Sequence, residues 1–384
     1  MPTQAPPQQA QAAAPVAPPP FRRGVYEVEG TDYDQTKTMA TGTVQFPTYT
    51  PRVNDWLTGI WFLIECTTAS NAATVAFKAD APFSAIDHVT FYDTGNQPVF
   101  GPITGYDWLT IMKFGGYFLV GDPRSDISYS ATAGSGSTGG SFSMVMYLPL
   151  EFVKRDSLGA VENKSTATSY TVEIVLAKST DVYSTAPTTL GNVRIRTTLD
   201  GYTSPQPADP RSGVAHADSP PVPGTFQYWR SENVQLTAGS MSNVQRNGLG
   251  FPIRNILYKL VDSTGSRSQG DADWPDPVTV NFGRITLFQR QTKLWLSRMG
   301  KNYGLTSTST DVSLGRENGV YPVWFTDDFG FQPGAELRNG YLVTQVGNEL
   351  QWQGTVGGSG THTLYTLTNW IATPGNNYGA LTGR

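Results

Sequence analysis

Residues 85–97 read Ala-Ile-Asp-His-Val-Thr-Phe-Tyr-Asp-Thr-Gly-Asn-Gln. From His88 to Asp93 polar and apolar side chains alternate, and Thr94-Gly95-Asn96 is a turn signal, so the stretch predicts a β-strand with one covered face. Shortly after it, Gly105-Tyr106-Asp107-Trp108-Leu109-Thr110-Ile111-Met112-Lys113-Phe114 places apolar residues near helical spacing and predicts a short helix packed on a sheet. The same plan returns later. Val89-Thr90-Phe91-Tyr92 aligns with Ile285-Thr286-Leu287-Phe288, and Ile60 with Ile256, both at an offset of 196 residues (285 less 89, 256 less 60). In each half the aligned strand precedes a helix-like segment, the second being the amphipathic run from Thr292 to Met299. Two similar all-β units in tandem are the economical explanation.

Working outward, short strands with turns fill the rest of the chain. Thr41 to Phe46 has strand composition and stops at Pro47. Ile60-Trp61-Phe62-Leu63-Ile64-Glu65-Cys66 is almost continuously apolar, so both faces of that strand are expected to be covered. Thr74 to Lys78, Met144 to Leu148 and Tyr170 to Leu176 are further strands, and Asn192 to Thr197 alternates cleanly, with one solvated face. In the second half, Met241 to Leu249, Phe251 to Val261, Gly283 to Phe288, Val320 to Phe325, Tyr341 to Val346, Leu350 to Gln353 and Thr361 to Trp370 repeat the pattern. Residues 201–225 hold six prolines and no periodicity, which marks a connection between domains. The expected organisation is a Pro/Ala/Gln-rich arm over 1–39, a first sandwich over 40–204, a Pro-rich connector over 205–225 and a second sandwich over 226–384.

The 384 residues suit two domains, each large enough to bury a core. Net charge is −4 and only 15% of residues are charged, so no broad footprint for nucleic acid is visible and direct sequence-specific binding is not expected. The single cysteine, Cys66, allows no intrachain disulfide and reads as a buried small hydrophobe. Residues 1–20 contain seven prolines, no Lys or Arg and no compact Leu/Ile/Val block, so a flexible or polyproline-like arm is expected and a signal peptide is not. No stretch approaches the roughly 20 apolar residues that span a bilayer. Synthesis in a cytoplasm follows as the expectation. Arg22 and Arg23 are too few to neutralise a genome, but they could touch anionic lipid headgroups at about 1 kcal/mol each.

Catalytic signals are sparse. His88, His216 and His362 fit no metal-ligand spacing. Gly134-Ser135-Gly136-Ser137-Thr138-Gly139-Gly140 lacks the lysine and following helix of a phosphate-binding loop and reads as a flexible hairpin loop. Asp271, Asp273 and Asp276 sit among loop residues and are weak candidates for calcium; they and Asp327-Asp328 are the carboxylate clusters a glycosidase would need. A solvated or interface loop is the simpler reading, and neither an enzyme nor a cofactor is expected. Asn163-Lys164-Ser165 matches the glycosylation sequon, unused in a cytoplasmic protein.

With two all-β units, a connector and no active site, the chain resembles the double jelly-roll capsid proteins, in which each subunit carries two eight-stranded sandwiches. Within that class it is similar to the major capsid proteins of tectiviruses, tailless bacteriophages with a membrane inside the shell. The likeness rests on Ala85 to Gln97, on Tyr106-Asp107-Trp108-Leu109, on Met146-Tyr147-Leu148-Pro149-Leu150, on Leu158-Gly159-Ala160-Val161 and on Tyr170 to Ala177. It covers about residues 55–200; the second half matches only in architecture. The proline content of the arm departs from the family's Gln/Ala-rich N-terminus and disfavours a helical membrane-facing arm. The resemblance implies a major capsid protein in a virion shell. Its homotrimers form pseudo-hexameric capsomers that tile an icosahedral shell around an internal membrane. The implied partners are neighbouring trimers, vertex or minor capsid proteins and membrane lipids. Tryptophans and tyrosines outside strand cores are expected at trimer contacts. The rival from another class is a carbohydrate- or receptor-binding jelly roll, spike- or lectin-like, which exposed aromatics on one face and a calcium loop would favour.

Overall fold

The computed structural model describes residues 20–115, 117, 129–247, 249–267, 272–303, 319–325 and 340–374. The first half opens with β1 (Glu27–Thr38), β2 (Val44–Gln45), β3 (Asp55–Thr67), β4 (Asn71–Phe77), β5 (Ile86–Tyr92) and β6 (Pro98–Ile103). It continues with β7 (Tyr129–Ala131), β8 (Gly134–Gly136), β9 (Phe142–Pro149), β10 (Val161–Asn163), β11 (Thr171–Leu176), β12 (Tyr183–Thr185) and β13 (Asn192–Tyr202). The second half supplies β14 (Phe226–Thr237), β15 (Met241–Arg246), β16 (Ile253–Val261), β17 (Val278–Phe282), β18 (Ile285–Arg290), β19 (Val320–Trp324), β20 (Leu350–Thr355) and β21 (Thr361–Ala372). Helices are few: α1 (Phe21–Gly24), α2 (Gly105–Phe114), α3 (Ser179–Val182) and α4 (Thr292–Tyr303).

Sheet order makes each half a jelly roll. In the first, β1-β13-β3-β9 faces β6-β5-β11-β2; in the second, β14-β21-β16-β19 faces β15-β20-β17-β18. Counting eight principal strands per half, one sheet holds the first, eighth, third and sixth, and the other the second, seventh, fourth and fifth. The two halves obey the same rule, and the fold is a double jelly roll. Residues 27–38, assigned to the arm on sequence, form the first strand, paired with β13 along nearly its whole length. No helix or strand lies between Tyr202 and Phe226, where the prolines are dense.

The topology corrects one alignment. Val89–Tyr92 lies in β5, whose counterpart is β17; Ile285–Phe288 lies in β18, the counterpart of β6. The sequence match therefore slipped by one strand, because adjacent strands of a hairpin share one alternating pattern and differ only in their neighbours. The Ile60–Ile256 match holds. Trp108 Nε1 donates to the Tyr147 carbonyl (2.7 Å), and Tyr147 pairs with Trp61 of β3. Trp295 Nε1 donates to the Pro322 carbonyl (2.9 Å), and Pro322 pairs with Leu257 of β16. Trp61 and Leu257 are thus equivalent, again 196 apart (257 less 61). Tyr341–Val346, expected as a strand, contributes only a two-way backbone bridge between Leu342 and Ile253 before the chain turns at Gln345–Asn348.

Helix α2 begins where Thr104 caps it, its hydroxyl accepting from the Asp107 N–H (3.2 Å). Asp107 in the first turn and Lys113 in the last suit the helix dipole. Gly105 is needed for close approach, since a Cβ there would run into the Phe83 carbonyl oxygen. The helix is buried all round, against both halves of the chain. One hydrophobic core runs from Phe62 and Trp108 through Phe100 and Trp229 to Leu257, Trp295 and Trp352. In the second sandwich Trp274 stacks on Tyr321 at 3.7 Å and meets Trp295 and Trp352 edge-on. Much of the tryptophan content lies inside: Trp56, Trp108, Trp229, Trp274, Trp295 and Trp352 are all buried.

Candidate assembly surfaces

The two jelly rolls meet edge to edge. Strand β6 runs parallel to β14 through the Phe100–Trp229 bridge, which joins one sheet of each sandwich into a single eight-stranded sheet. Helix α2 then lies on the outer face of β14-β21-β16, the side turned away from the second sandwich's interior. Asn255, Leu257 and Lys259 share that face with their partners Asn369, Leu367 and Tyr365. Lys259 Nζ pairs with the Asp107 carboxylate in a site from which both side chains are nearly excluded from solvent, and it sits 4.6 Å from the Tyr365 ring. Arg254 donates to the Gly115 carbonyl (3.0 Å), the Tyr117 hydroxyl (3.3 Å) and Asn369 Oδ1 (3.4 Å). Trp324 Nε1 donates to the Phe114 carbonyl (2.9 Å), and Gln227 Nε2 donates to the Pro149 and Leu150 carbonyls (3.2 Å each). Arg267 pairs with Asp80 across the same seam, and its guanidinium lies 4.3 Å from the Tyr106 ring. Buried charges held this way fix one relative placement, since any slip would strand an unpaired ion.

The equivalent face of the first sandwich is open. The outer side of β1-β13-β3-β9 forms a groove of about 620 Å³ floored by Trp61, Leu63 and Val145. Its walls carry Glu29, Asp32, Asp34 and Asp200 against Arg194 and Arg196. Strand β3, expected to be covered on both faces, is buried at Ile60, Phe62 and Ile64 but only half-buried at Trp61, Leu63 and Glu65. Among the described residues nothing lies on that second face, although its side chains are apolar enough to want a cover. Arg194 grips Asp34 through two hydrogen bonds (2.7 and 2.5 Å), which hold the Asp34 carboxyl below its usual range. Arg196 pairs with Glu65. Asp200 accepts from Trp61 Nε1 (2.6 Å), yet burial pushes its carboxyl up to about 6.

The residues singled out from sequence are scattered. Arg22 pairs with Glu27 and stacks over the Tyr202 ring at 4.6 Å, so it is occupied by the fold; Arg23 beside it is exposed. Phe21 wedges α1 against Trp56 (5.3 Å) and Tyr202 (6.2 Å). Asp273 faces His362 Nε2 at 3.5 Å, Asp276 is exposed, and Asp271 and Asp327-Asp328 lie outside the described residues. Among the described residues no group of three or more His, Cys, Asp or Glu side chains is placed to hold a metal ion. His88 contacts Asp87 (2.8 Å), and the buried His216 ring contacts the Gln206 carbonyl (2.9 Å). Asn163 is buried, donating to the Arg52 carbonyl (2.8 Å), which leaves no room for a glycan. Cys66 is buried, its thiol pushed up to about 12. Among the described residues no helix is long and apolar enough to cross a membrane.

The sequence carries a signal for the true counterparts. Trp108-Leu109-Thr110-Ile111-Met112 and Trp295-Leu296-Ser297-Arg298-Met299 share Trp-Leu-(Thr/Ser)-x-Met at an offset of 187 (295 less 108). This offset, not 196, relates β6 and α2 to β18 and α4.

By sequence, no protein-family model and no curated protein matches the chain. By structure, it is similar to the Sulfolobus Turreted Icosahedral Virus structure at TM-score 0.62 and 11% identity, over 92% of this chain and 93% of the other. The STIV MCP gives 0.59 and 12%, over 91% and 97%. The major capsid protein P2 from Bacteriophage PM2 gives 0.51 and 10%, over 91% and 99%. At such identities the likeness is one of fold, and it spans almost the whole of these three chains.

Proposed function

We propose that this chain is a major capsid protein, a structural subunit of an icosahedral virion shell rather than an enzyme. The observation that carries the reading is the double jelly roll itself, shared nearly end to end with capsid proteins. The rigid polar seam supports it, because a tile must present a fixed outline to its neighbours. The subunit trimerises into pseudo-hexameric capsomers that surround an internal membrane, in the manner of the tectivirus-like bacteriophages. Neighbouring trimers and vertex or minor proteins are its partners, and the exposed Arg23 is the candidate contact for lipid headgroups. Electron microscopy and light scattering of the purified full chain test this. Trimers with a six-lobed outline, or closed shells, are the expected result; a monomer at micromolar concentration that never assembles would overturn it. A carbohydrate-binding role asked for a face of exposed aromatics, and among the described residues only Tyr26 and Phe251 are large exposed aromatic side chains.

A further inference from the structure

Helices α2 and α4 are the same element in the two jelly rolls. Each follows the fifth strand of its sandwich, and each anchors a buried tryptophan to a carbonyl of the sixth strand. Their outward faces differ in one respect: that of α2 is buried, and that of α4 is exposed among its described side chains. Asp107 is 1% exposed and Ile111 0%, while their counterparts at +187 are Leu294, 58% exposed, and Arg298, also exposed. Leu109 is 3% exposed and its counterpart Leu296 is 40%. What covers α2 is the outer face of the other sandwich's four-stranded sheet. The matching face on the first sandwich is the open groove over Trp61 and Leu63.

We propose that the exposed face of α4 in one chain docks into the groove on β1-β13-β3-β9 of a second copy, repeating between chains the contact that α2 makes within one. The occupant is a second copy because the chain already contains the contact once and presents both of its halves again, with Leu294 and Leu296 exposed on one and an open groove on the other. Strand equivalence sets the register. Leu63 corresponds to Lys259 (259 less 63 is 196) and Leu294 to Asp107 (294 less 107 is 187), so the buried Asp107–Lys259 pair becomes a Leu294–Leu63 contact between chains. The edges agree as well. Strand β6 is paired with β14, while among the described residues β18, its counterpart, ends its sheet with Ile285 65% exposed, and β1, the counterpart of β14, also ends its sheet. Charge is complementary: α4 offers Lys293 and Arg298, and the groove holds four carboxylates against two guanidinium groups. A contact of this kind is head-to-tail, and repeated through six sandwiches it closes a ring of three chains. The proposal rests on the trimeric capsomer reading and names the surface that builds it.

The full chain carrying Leu294→Cys and Leu63→Cys, treated with a short bismaleimide, tests it, with Cys66 buried and retained. Covalent dimers and trimers, ending at the trimer and absent from either single variant, are the expected result. A trimer by light scattering that gives no cross-link overturns this surface while leaving the capsomer reading intact. A ladder continuing beyond the trimer overturns ring closure. A wild-type chain that stays monomeric removes the reading on which the proposal stands. As a second measurement, Leu294→Asp buries a carboxylate in the contact and weakens assembly by about tenfold to a hundredfold. Adding Leu63→Lys transplants the internal ion pair and restores it. Leu294 is exposed in the single chain, so unchanged thermal stability of the variant shows that assembly, not folding, was lost; failure of Leu63→Lys to rescue overturns the register.

Discussion

Helix α2 and helix α4 share a core signature and part company on the other side. Trp108 and Met112 face the first sandwich as Trp295 and Met299 face the second, but α2 meets a sheet dense in polar groups, whereas Leu294 and Leu296 of α4 are exposed. The internal seam uses a buried ion pair, Asp107 with Lys259, and a partly buried one, Arg267 with Asp80, whereas the open counterpart offers leucines rimmed by charge. The difference follows from connectivity. Two sandwiches on one chain are never apart, so the desolvation of buried ions is met once, during folding, and what remains is positional specificity. Surfaces that must stay soluble before they associate cannot carry unpaired buried ions, and a small apolar patch ringed by charges suits them better.

The comparison can be broken most sharply at Lys259. Lys259→Met leaves Asp107 buried without its cation and is expected to cost about 3–5 kcal/mol in denaturant unfolding. The double change Asp107→Leu with Lys259→Leu copies the Leu294–Leu63 arrangement and should restore most of that stability, because a well-packed apolar pair often equals a buried ion pair. If the double variant is as unstable as the single one, the two contacts are not interchangeable. Next in size, Trp108→Phe and Trp295→Phe each orphan a strand carbonyl, at Tyr147 or Pro322, and should cost about 1–3 kcal/mol apiece. Similar losses in thermal melts would sharpen the equivalence of the two helices; a loss at only one would blur it.

The smallest effect is a pH slope. Glu151 lies under α1, accepts from the Tyr202 hydroxyl (2.8 and 3.1 Å), and faces Lys154, Arg22 and Glu27. Burial outweighs those bonds and raises its carboxyl to about 7, and Asp200 moves the same way to about 6. Unfolded, both groups titrate near ~4. The folded state therefore holds more protons between about pH 4 and 7, and the stability these groups contribute below about pH 4 is lost as pH rises through their folded values. Melting temperature should fall from pH 5 to pH 8, and Glu151→Gln should flatten the slope. Asp200→Asn, which installs the amide its counterpart Asn369 carries in the seam, should flatten it less.

Much of this was legible in the residues. Alternation located β5 and β13, strand-like runs located β9, β11 and β21, and the near-helical spacing of apolar residues in Gly105–Phe114 gave α2 with its observed ends. Proline density marked the connection after Tyr202, and the pairing of Ile60 with Ile256 was sound. The slip between Val89 and Ile285 shows the limit: a period-two pattern is the same on every strand of a hairpin, so it can say that a strand exists and not which one it is. The repeated Trp-Leu-(Thr/Ser)-x-Met would have given the right offset, since a helix anchored by one tryptophan has a unique position that a strand lacks.

By itself the sequence determined the elements and which of their faces are apolar, because local periodicity and turn chemistry act over a few residues. Whether an apolar face finds its cover was decided only by the tertiary structure. Trp229 and α2 are enclosed and Leu63 and Leu294 are not, although all sit on similar strands or helices, because enclosure depends on which distant segments the jelly-roll crossovers bring alongside. Long-range adjacency is a property of the whole chain's topology, and no window of neighbouring residues encodes it.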